Sequence, residues 1–108
     1  MNKDTVAIRL RERLEALAAD DDLAWHRVEI LASDLFDGPP SRKQLDVLRR
    51  AVFRLAVDGE IEVAMFRRVN AARRLRTPVA ENTEYSIALG SSGGLTPRNY
   101  EYGLRFRS

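Results

Sequence analysis

Cationic side chains are concentrated in one part of this 108-residue sequence, between residues 41 and 76. That block carries ten basic and four acidic side chains, whereas residues 1–40 carry five basic and nine acidic ones. Sixteen of the eighteen basic residues are arginines. The guanidinium fork of arginine fits a phosphate or a guanine edge better than the ammonium group of lysine does. The residue types and their concentration therefore predict binding of a polyanion.

The cations fall into two groups that differ in their spacing. The first group is helically spaced within "SRKQLDVLRRAVFRLAVDG", which starts at Ser41. Placing successive side chains about 100° apart gathers a core stripe on one side of a helix. That stripe comprises Leu45, Leu48, Val52, Leu55 and Ala56, and a separate outer stripe comprises Lys43, Val47, Arg50 and Arg54. The second group follows in a polar, turn-rich segment and comprises Arg67, Arg68, Arg73, Arg74 and Arg76.

Three helices are predicted to position the first group. Residues 4–19 and residues 25–38 each carry apolar side chains at helical spacing. The acidic run from Asp20 to Asp22 between them is predicted to be a solvated turn, because it lacks the ligand spacing of a calcium loop. The third helix is predicted over residues 42–57, with Ser41 as its N-cap and Gly59 just beyond its end.

After Gly59 the apolar period changes from helical to alternating, which predicts strands. A strand is expected from Glu60, and a second through Tyr85, Ile87 and Leu89, so that residues 60–89 form a hairpin with a long basic loop. Residues 90–98 contain "GSSGG" and read as a flexible connector. Residues 99–107 alternate again and are expected to be an edge strand or an arm that docks on a partner. The fold class is therefore α+β, in one domain over residues 1–108.

This order of elements resembles the winged helix-turn-helix superfamily. Residues 26–63 carry the resemblance: "HRVEILASDLFDG" resembles its second helix, residues 41–59 its recognition helix, and "EIEV" its first wing strand. The run "LRRAVFRL" followed by "DGEIE" is similar to many bacterial winged-helix regulators. The resemblance implies a recognition helix over residues 41–58 in the major groove of double-stranded DNA and an Arg-rich wing on the minor groove or phosphates.

Under this interpretation each candidate DNA-binding residue has an expected role. Arg50 or Lys43 is expected to reach guanine, and Val47 a thymine methyl group. Gln44 can pair with adenine but ranks below Arg50, because its helical angle places it near the core edge. The full set is Arg42, Lys43, Gln44, Val47, Arg49, Arg50, Arg54, Arg67, Arg68, Arg73, Arg74 and Arg76. In the alternative, Arg49 or Arg50 forms an ion pair with Asp46 and does nothing else, and the second group is a solvated loop.

The resemblance also implies a homodimer on paired half-sites. The apolar stripe of the first helix, Val6, Leu10, Leu14 and Leu17, or the aromatic C-terminal strand is expected to form the interface. In the alternative, both surfaces complete the core of one chain. We expect a small transcriptional, plasmid or phage regulator, and the competing hypothesis is a winged-helix module that docks on proteins.

Other functional classes have little support in the sequence. It has no cysteine and one histidine, His26, and no phosphate-binding loop or metal-binding His pair, so no catalytic residue, metal or cofactor is expected. No ligand-binding domain accompanies the basic block, so no small-molecule ligand is expected. The first residues form no apolar signal core, and no apolar run approaches about 20 residues, so the expected location is the bacterial cytosol or nucleoid and not a membrane.

Overall fold

Three helices and an antiparallel sheet form the described part of this α+β protein. The computed structural model describes the backbone of residues 3–67, 74–75, 80–81 and 100–107, and the side chains of residues 5–67 and 100–107. The helices are α1 (Lys3–Asp20), α2 (Val28–Phe36) and α3 (Arg42–Val57). The strands are β1 (Trp25–Arg27), β2 (Ile61–Arg67), β3 (Arg74–Leu75), β4 (Ala80–Glu81) and β5 (Tyr100–Phe106). None of the described helices is long and apolar enough to cross a bilayer.

The sheet has the strand order β3-β1-β5-β2-β4, and all neighbouring strands are antiparallel. Its longest pairing joins β2 to β5, from Ile61 opposite Phe106 to Arg67 opposite Tyr100. On its other side β5 pairs with β1, where His26 lies opposite Leu104. The strand predicted over residues 99–107 is thus confirmed, but its placement at an edge or on a partner was wrong. Because β5 is bonded on both sides, it is the central strand.

The hairpin predicted over residues 60–89 is described in part. Its first strand is confirmed as β2, which pairs with β5 and with the two-residue β4. The predicted second strand and the connector at residues 90–98 lie outside the described residues. Within the segment predicted to be one long loop, β3 and β4 pair with the outer edges of β1 and β2. Pairings of two residues are too short to leave a periodic pattern in the sequence.

The second helix begins later than predicted. Residues 25–27 form β1, and helix α2 starts at Val28, with the backbone of Arg27 still extended at φ −67° and ψ 132°. The helical spacing of Val28, Leu31 and Leu35 is real, and these side chains are buried. The error concerned the residues before them, because pairing with β5 is a long-range interaction that local spacing does not reveal.

The core lies between the helices and one face of the sheet. Its members come from every main element: the α1 stripe, α2, α3, and the side chains of β2 and β5 that point the same way, including Val63, Tyr102 and Leu104. Val6, Leu10 and Leu14 are at most 1% exposed. The surfaces expected to form a dimer interface are therefore largely used within one chain, which was the alternative considered for them.

The opposite face of the sheet carries a second, smaller cluster of buried apolar side chains, Trp25, Ala64 and Phe66. The rings of Trp25 and Phe66 meet edge to face with centroids 5.7 Å apart, a favourable aromatic geometry. Ala64 lies opposite Gly103 in the β2–β5 ladder. Two small residues side by side leave room for the large indole of Trp25 on the same face.

Two ion pairs fix this second face. The guanidinium of Arg105 binds the carboxylate of Glu62, donates to the Leu23 carbonyl oxygen at 3.2 Å, and stacks 4.0 Å from the Trp25 ring centroid. Arg27 Nη2 lies 2.7 Å from Glu101 Oε2, and the Glu101 side chain is only 3% exposed. Among the described residues, Arg27 alone compensates this buried carboxylate. Its removal would leave an unpaired charge in the interior.

Replacing Glu101 by Gln should lower the free energy of unfolding by about 3–5 kcal/mol, because the largely buried Arg27 loses its counter-charge. The double variant Arg27→Met/Glu101→Leu should regain most of that loss, since both charges are gone. Urea unfolding followed by the fluorescence of Trp25, the only tryptophan in the sequence, measures both. A change below about 0.5 kcal/mol for Glu101→Gln would show that the pair is not buried as described.

Candidate nucleic-acid interface

Helix α3 is fixed at both ends by local interactions that the sequence encodes. At its start the Ser41 hydroxyl accepts a hydrogen bond from the Gln44 backbone N–H at 3.2 Å, and the Ser41 N–H donates to Gln44 Oε1 at 2.8 Å. This reciprocal pair is a capping box. At its end Gly59 has φ +75°, a conformation that an L side chain rarely adopts. The predicted bounds of α3, its N-cap and its terminal glycine are all confirmed.

The capping box corrects the role expected for Gln44. Its side-chain carbonyl is already bonded to the Ser41 backbone, and the side chain is half-buried. Bidentate pairing with adenine uses both the carbonyl oxygen and the amide NH2 group of a glutamine, so this pairing would break the cap. In this structure the Gln44 side chain is therefore part of the N-terminal cap of α3.

The face of α3 opposite the core is cationic. Leu48, Ala51, Val52 and Leu55 are buried. The exposed side chains of the helix include Arg42, Lys43, Arg50 and Arg54. Arg50 is 60% exposed, whereas Arg49 is only 24% exposed and lies at the flank of the helix. The structure thus brings the predicted α3 cations onto one side of the helix, and Arg49 is the least exposed of them.

One carboxylate lies within this cationic face. Asp46 Oδ1 accepts from Arg49 Nη2 at 3.0 Å, and its Oδ2 lies 3.1 Å from Arg50 Nη2. The hydrogen bond from Arg49 is the largest influence on the pKa of Asp46 and lowers it. Desolvation opposes this shift, and the positive charges of Arg50 and then Arg49 add to it, so that the pKa lies below its ordinary value. Arg49 and Arg50 therefore both form the ion pair with Asp46 that the sequence offered as the alternative to a DNA contact.

Val47 is less accessible than its helical angle indicated. It is half-buried and packs against the core cluster. With Leu35 and Phe36 of α2 it forms the apolar part of a cleft of about 430 Å³, which Arg9 and Lys43 also line. Side chains of α1 and α2 thus reach this side of α3, which an isolated helical projection cannot include. The placement of Val47 on a stripe well away from the core was wrong.

The second cationic group is described only at its margins. Arg67 is exposed at the end of β2. Arg74 lies in β3 opposite His26, and its side chain is outside the described residues. Arg68, Arg73 and Arg76 lie outside them altogether. The wing therefore stays a prediction, apart from the strand that leads into it.

His26 is part of β1 and is half-buried. Within the described residues, no group of three or more His, Cys, Asp or Glu side chains is placed to hold a metal ion. Comparison of the chain with protein families, curated proteins and solved structures gave no match. Interpretation of the site therefore depends on its own geometry.

Replacing Ser41 by Ala should lower the free energy of unfolding by about 1 kcal/mol, since the Gln44 N–H loses its acceptor. Chemical denaturation measures the loss. The matched control is Ser33→Ala in α2, which removes a hydroxyl away from any helix start. An equal effect of the two substitutions would contradict the role of the capping box.

The lowered pKa of Asp46 sets the sign of a pH effect. A carboxyl whose pKa is depressed in the folded state stabilises it above the unfolded pKa, and this contribution disappears as the pH falls through the folded pKa. Asp46→Asn should therefore be less stable than the wild type near neutral pH, and the gap should close below about pH 4. Denaturation at several pH values measures it. A gap that is unchanged in acid would contradict the assignment.

Proposed function

We propose that this chain is a double-stranded DNA-binding protein of the winged-helix type, with α3 in the major groove. The order α1-β1-α2-α3-β2-β5 and the central strand order β1-β5-β2 are compatible with a winged helix. In such an arrangement, the segment between β2 and β5, residues 68–99, is the wing. That segment begins directly after the exposed Arg67 and contains four further arginines of the basic block.

The observation that carries the proposal is the capped, amphipathic α3 with cations opposite its core face. The major groove of B-DNA admits one α-helix, and side chains near the N-terminus of that helix and on its outer face reach the bases. Arg42 and Lys43 lie in the first turn, and Arg50 lies two turns further along on the exposed side. This is the distribution of donors that a groove lined by phosphates and base acceptors requires.

The exposed cations divide between two roles in this proposal. Arg50 is the best placed to reach a guanine edge, because its side chain is 60% exposed and its ion pair with Asp46 engages only one of its nitrogens. Arg42, Lys43 and Arg54 bind phosphates, which orient the helix without specifying sequence. The wing arginines add contacts to the adjacent minor groove or backbone.

A single α3 spans few base pairs, so we propose that two copies bind paired half-sites. The sites for such a protein are in the bacterial cytosol or nucleoid, where it would act as a small regulator. The main competing proposal, a winged-helix module that docks on a protein, predicts no affinity for DNA at any salt concentration.

The test compares two double variants that each remove two positive charges. Arg42→Gln/Lys43→Gln changes the proposed phosphate contacts, whereas Arg13→Gln/Arg107→Gln changes cations about half exposed elsewhere, in α1 and after β5. Fluorescence anisotropy with a labelled random-sequence duplex over a salt series gives the affinity and its salt slope. Each lost phosphate contact should reduce the log–log slope by about 0.9.

We expect wild-type binding to weaken steeply with salt. The α3 variant should lose affinity and about two units of slope, while the control stays close to wild type. Equal losses in both variants would mean that only net charge matters, which contradicts an α3 interface. Absence of wild-type binding at low salt would overturn the DNA proposal and favour the protein-docking alternative.

A further inference from the structure

Asp46 is the only acidic residue within α3, where five basic side chains surround it in sequence. An acid at the centre of a phosphate-binding face weakens binding to any DNA, because it repels the backbone. Its position is nevertheless held from two sides, by Arg49 at 3.0 Å and Arg50 at 3.1 Å. A residue that reduces the affinity for all DNA and is nevertheless held in place is expected to help the protein distinguish between DNA sequences.

We propose that Asp46 is a specificity-determining residue, which together with Arg50 reads a guanine–cytosine pair in the major groove. This inference rests on the proposed function. It names the base pair that the α3 surface prefers and the residue that disfavours an acceptor in place of the cytosine amine.

The chemistry of the base pair matches the pair of side chains. In the major groove, guanine presents two acceptors, O6 and N7, and cytosine beside it presents the N4 amine as a donor. Arg50 offers only donors, and an ionised Asp46 offers only acceptors. The two side chains are one helical turn apart and already in contact, so a donor edge and an acceptor edge lie next to each other. The base pair presents the complementary edges in the same way.

The two groups have capacity left for the bases. The ion pair engages one nitrogen of Arg50, and a guanidinium has five N–H donors. The Asp46 oxygens each have one arginine partner, whereas a carboxylate has about four acceptor positions. Arg49, largely shielded from solvent, acts as the positioning residue that fixes Asp46 on the flank of the helix. Asp46 has a pKa below its ordinary value, so it is ionised, and thus an acceptor, at neutral pH, as an unperturbed aspartate would also be.

Other base pairs are penalised by the same arrangement. A carboxylate that faces guanine O6 or thymine O4 meets an acceptor, and the two repel each other. Asp46 therefore lowers the affinity for most sequences and spares those that place a donor beneath it, either the N4 amine of cytosine or the N6 amine of adenine. Of these two bases only cytosine is paired with guanine, whose two acceptors suit Arg50. This is specificity obtained through a repulsive element as well as an attractive one.

The test uses Asp46→Asn and a control variant, Asp34→Asn, which removes the same charge from a side chain of equal character on α2, about half exposed. Sites are first selected from a random pool with the wild type. Affinities of all three proteins are then measured for the selected duplex, for duplexes with single G·C pairs replaced by A·T, and for a random duplex. Far-ultraviolet circular dichroism confirms that each variant is folded.

We expect one G·C pair in the selected site whose replacement weakens wild-type binding about tenfold or more. With Asp46→Asn that penalty should shrink severalfold and binding to the random duplex should tighten, whereas Asp34→Asn should keep the wild-type penalty. An unchanged penalty in Asp46→Asn overturns the role of Asp46 while leaving DNA binding intact. If the wild type binds neither duplex, the proposed function fails, and this inference fails with it.

Discussion

Strands β2 and β5 pair along their whole length, and the position of α3 depends on that pairing. Helix α3 ends at Val57, and after one turn the chain enters β2 at Ile61, so the helix and the strand share a short, rigid connection. Glu60 O accepts from the Arg107 N–H at 3.1 Å, which extends the ladder to the corner itself. Strands β2 and β5 are far apart in sequence, so the orientation of the exposed face of α3 depends on a long-range pairing.

The two faces of this sheet are stabilised by different physical effects. One face is covered by helices and buries branched apolar side chains, which gain free energy by leaving water. The other face buries an aromatic pair beside two ion pairs that bridge neighbouring strands. Arg27 lies on β1 and Glu101 on β5, so their contact is lost if the strands shift by one residue. Burial on the apolar face stabilises the packing of the helices on the sheet, and the ion pairs on the other face favour one register of the strands.

Local interactions explain why α3 could be predicted from sequence. Its cap, its glycine stop and its apolar stripe all lie within about one turn of the residues they affect. The cap and the glycine stop are confirmed, and Leu48, Val52 and Leu55 of the stripe are buried, whereas Leu45 and Ala56 are only half-buried. The short strand β1 and the central position of β5 in the sheet depend on pairing partners that are distant in sequence. Local patterns do not show such partners, so β1 was predicted to be helix and β5 was predicted to lie at an edge or on a partner. In the candidate site the same division applies: the ion pairs of Asp46 follow from helical spacing, while the burial of Val47 depends on neighbouring helices.

A purely cationic α3 would bind any phosphate backbone, since charge attraction carries no sequence information. Under the proposed function, the one carboxylate in the helix changes this balance, because it would lower the attraction for every sequence and would find a compensating donor only at particular bases. The neighbouring arginines hold this carboxylate in place, so its position is fixed before any ligand arrives. In this protein, therefore, the interactions that weaken the general attraction of the helix for a polyanion are the ones that would let it distinguish one sequence from another.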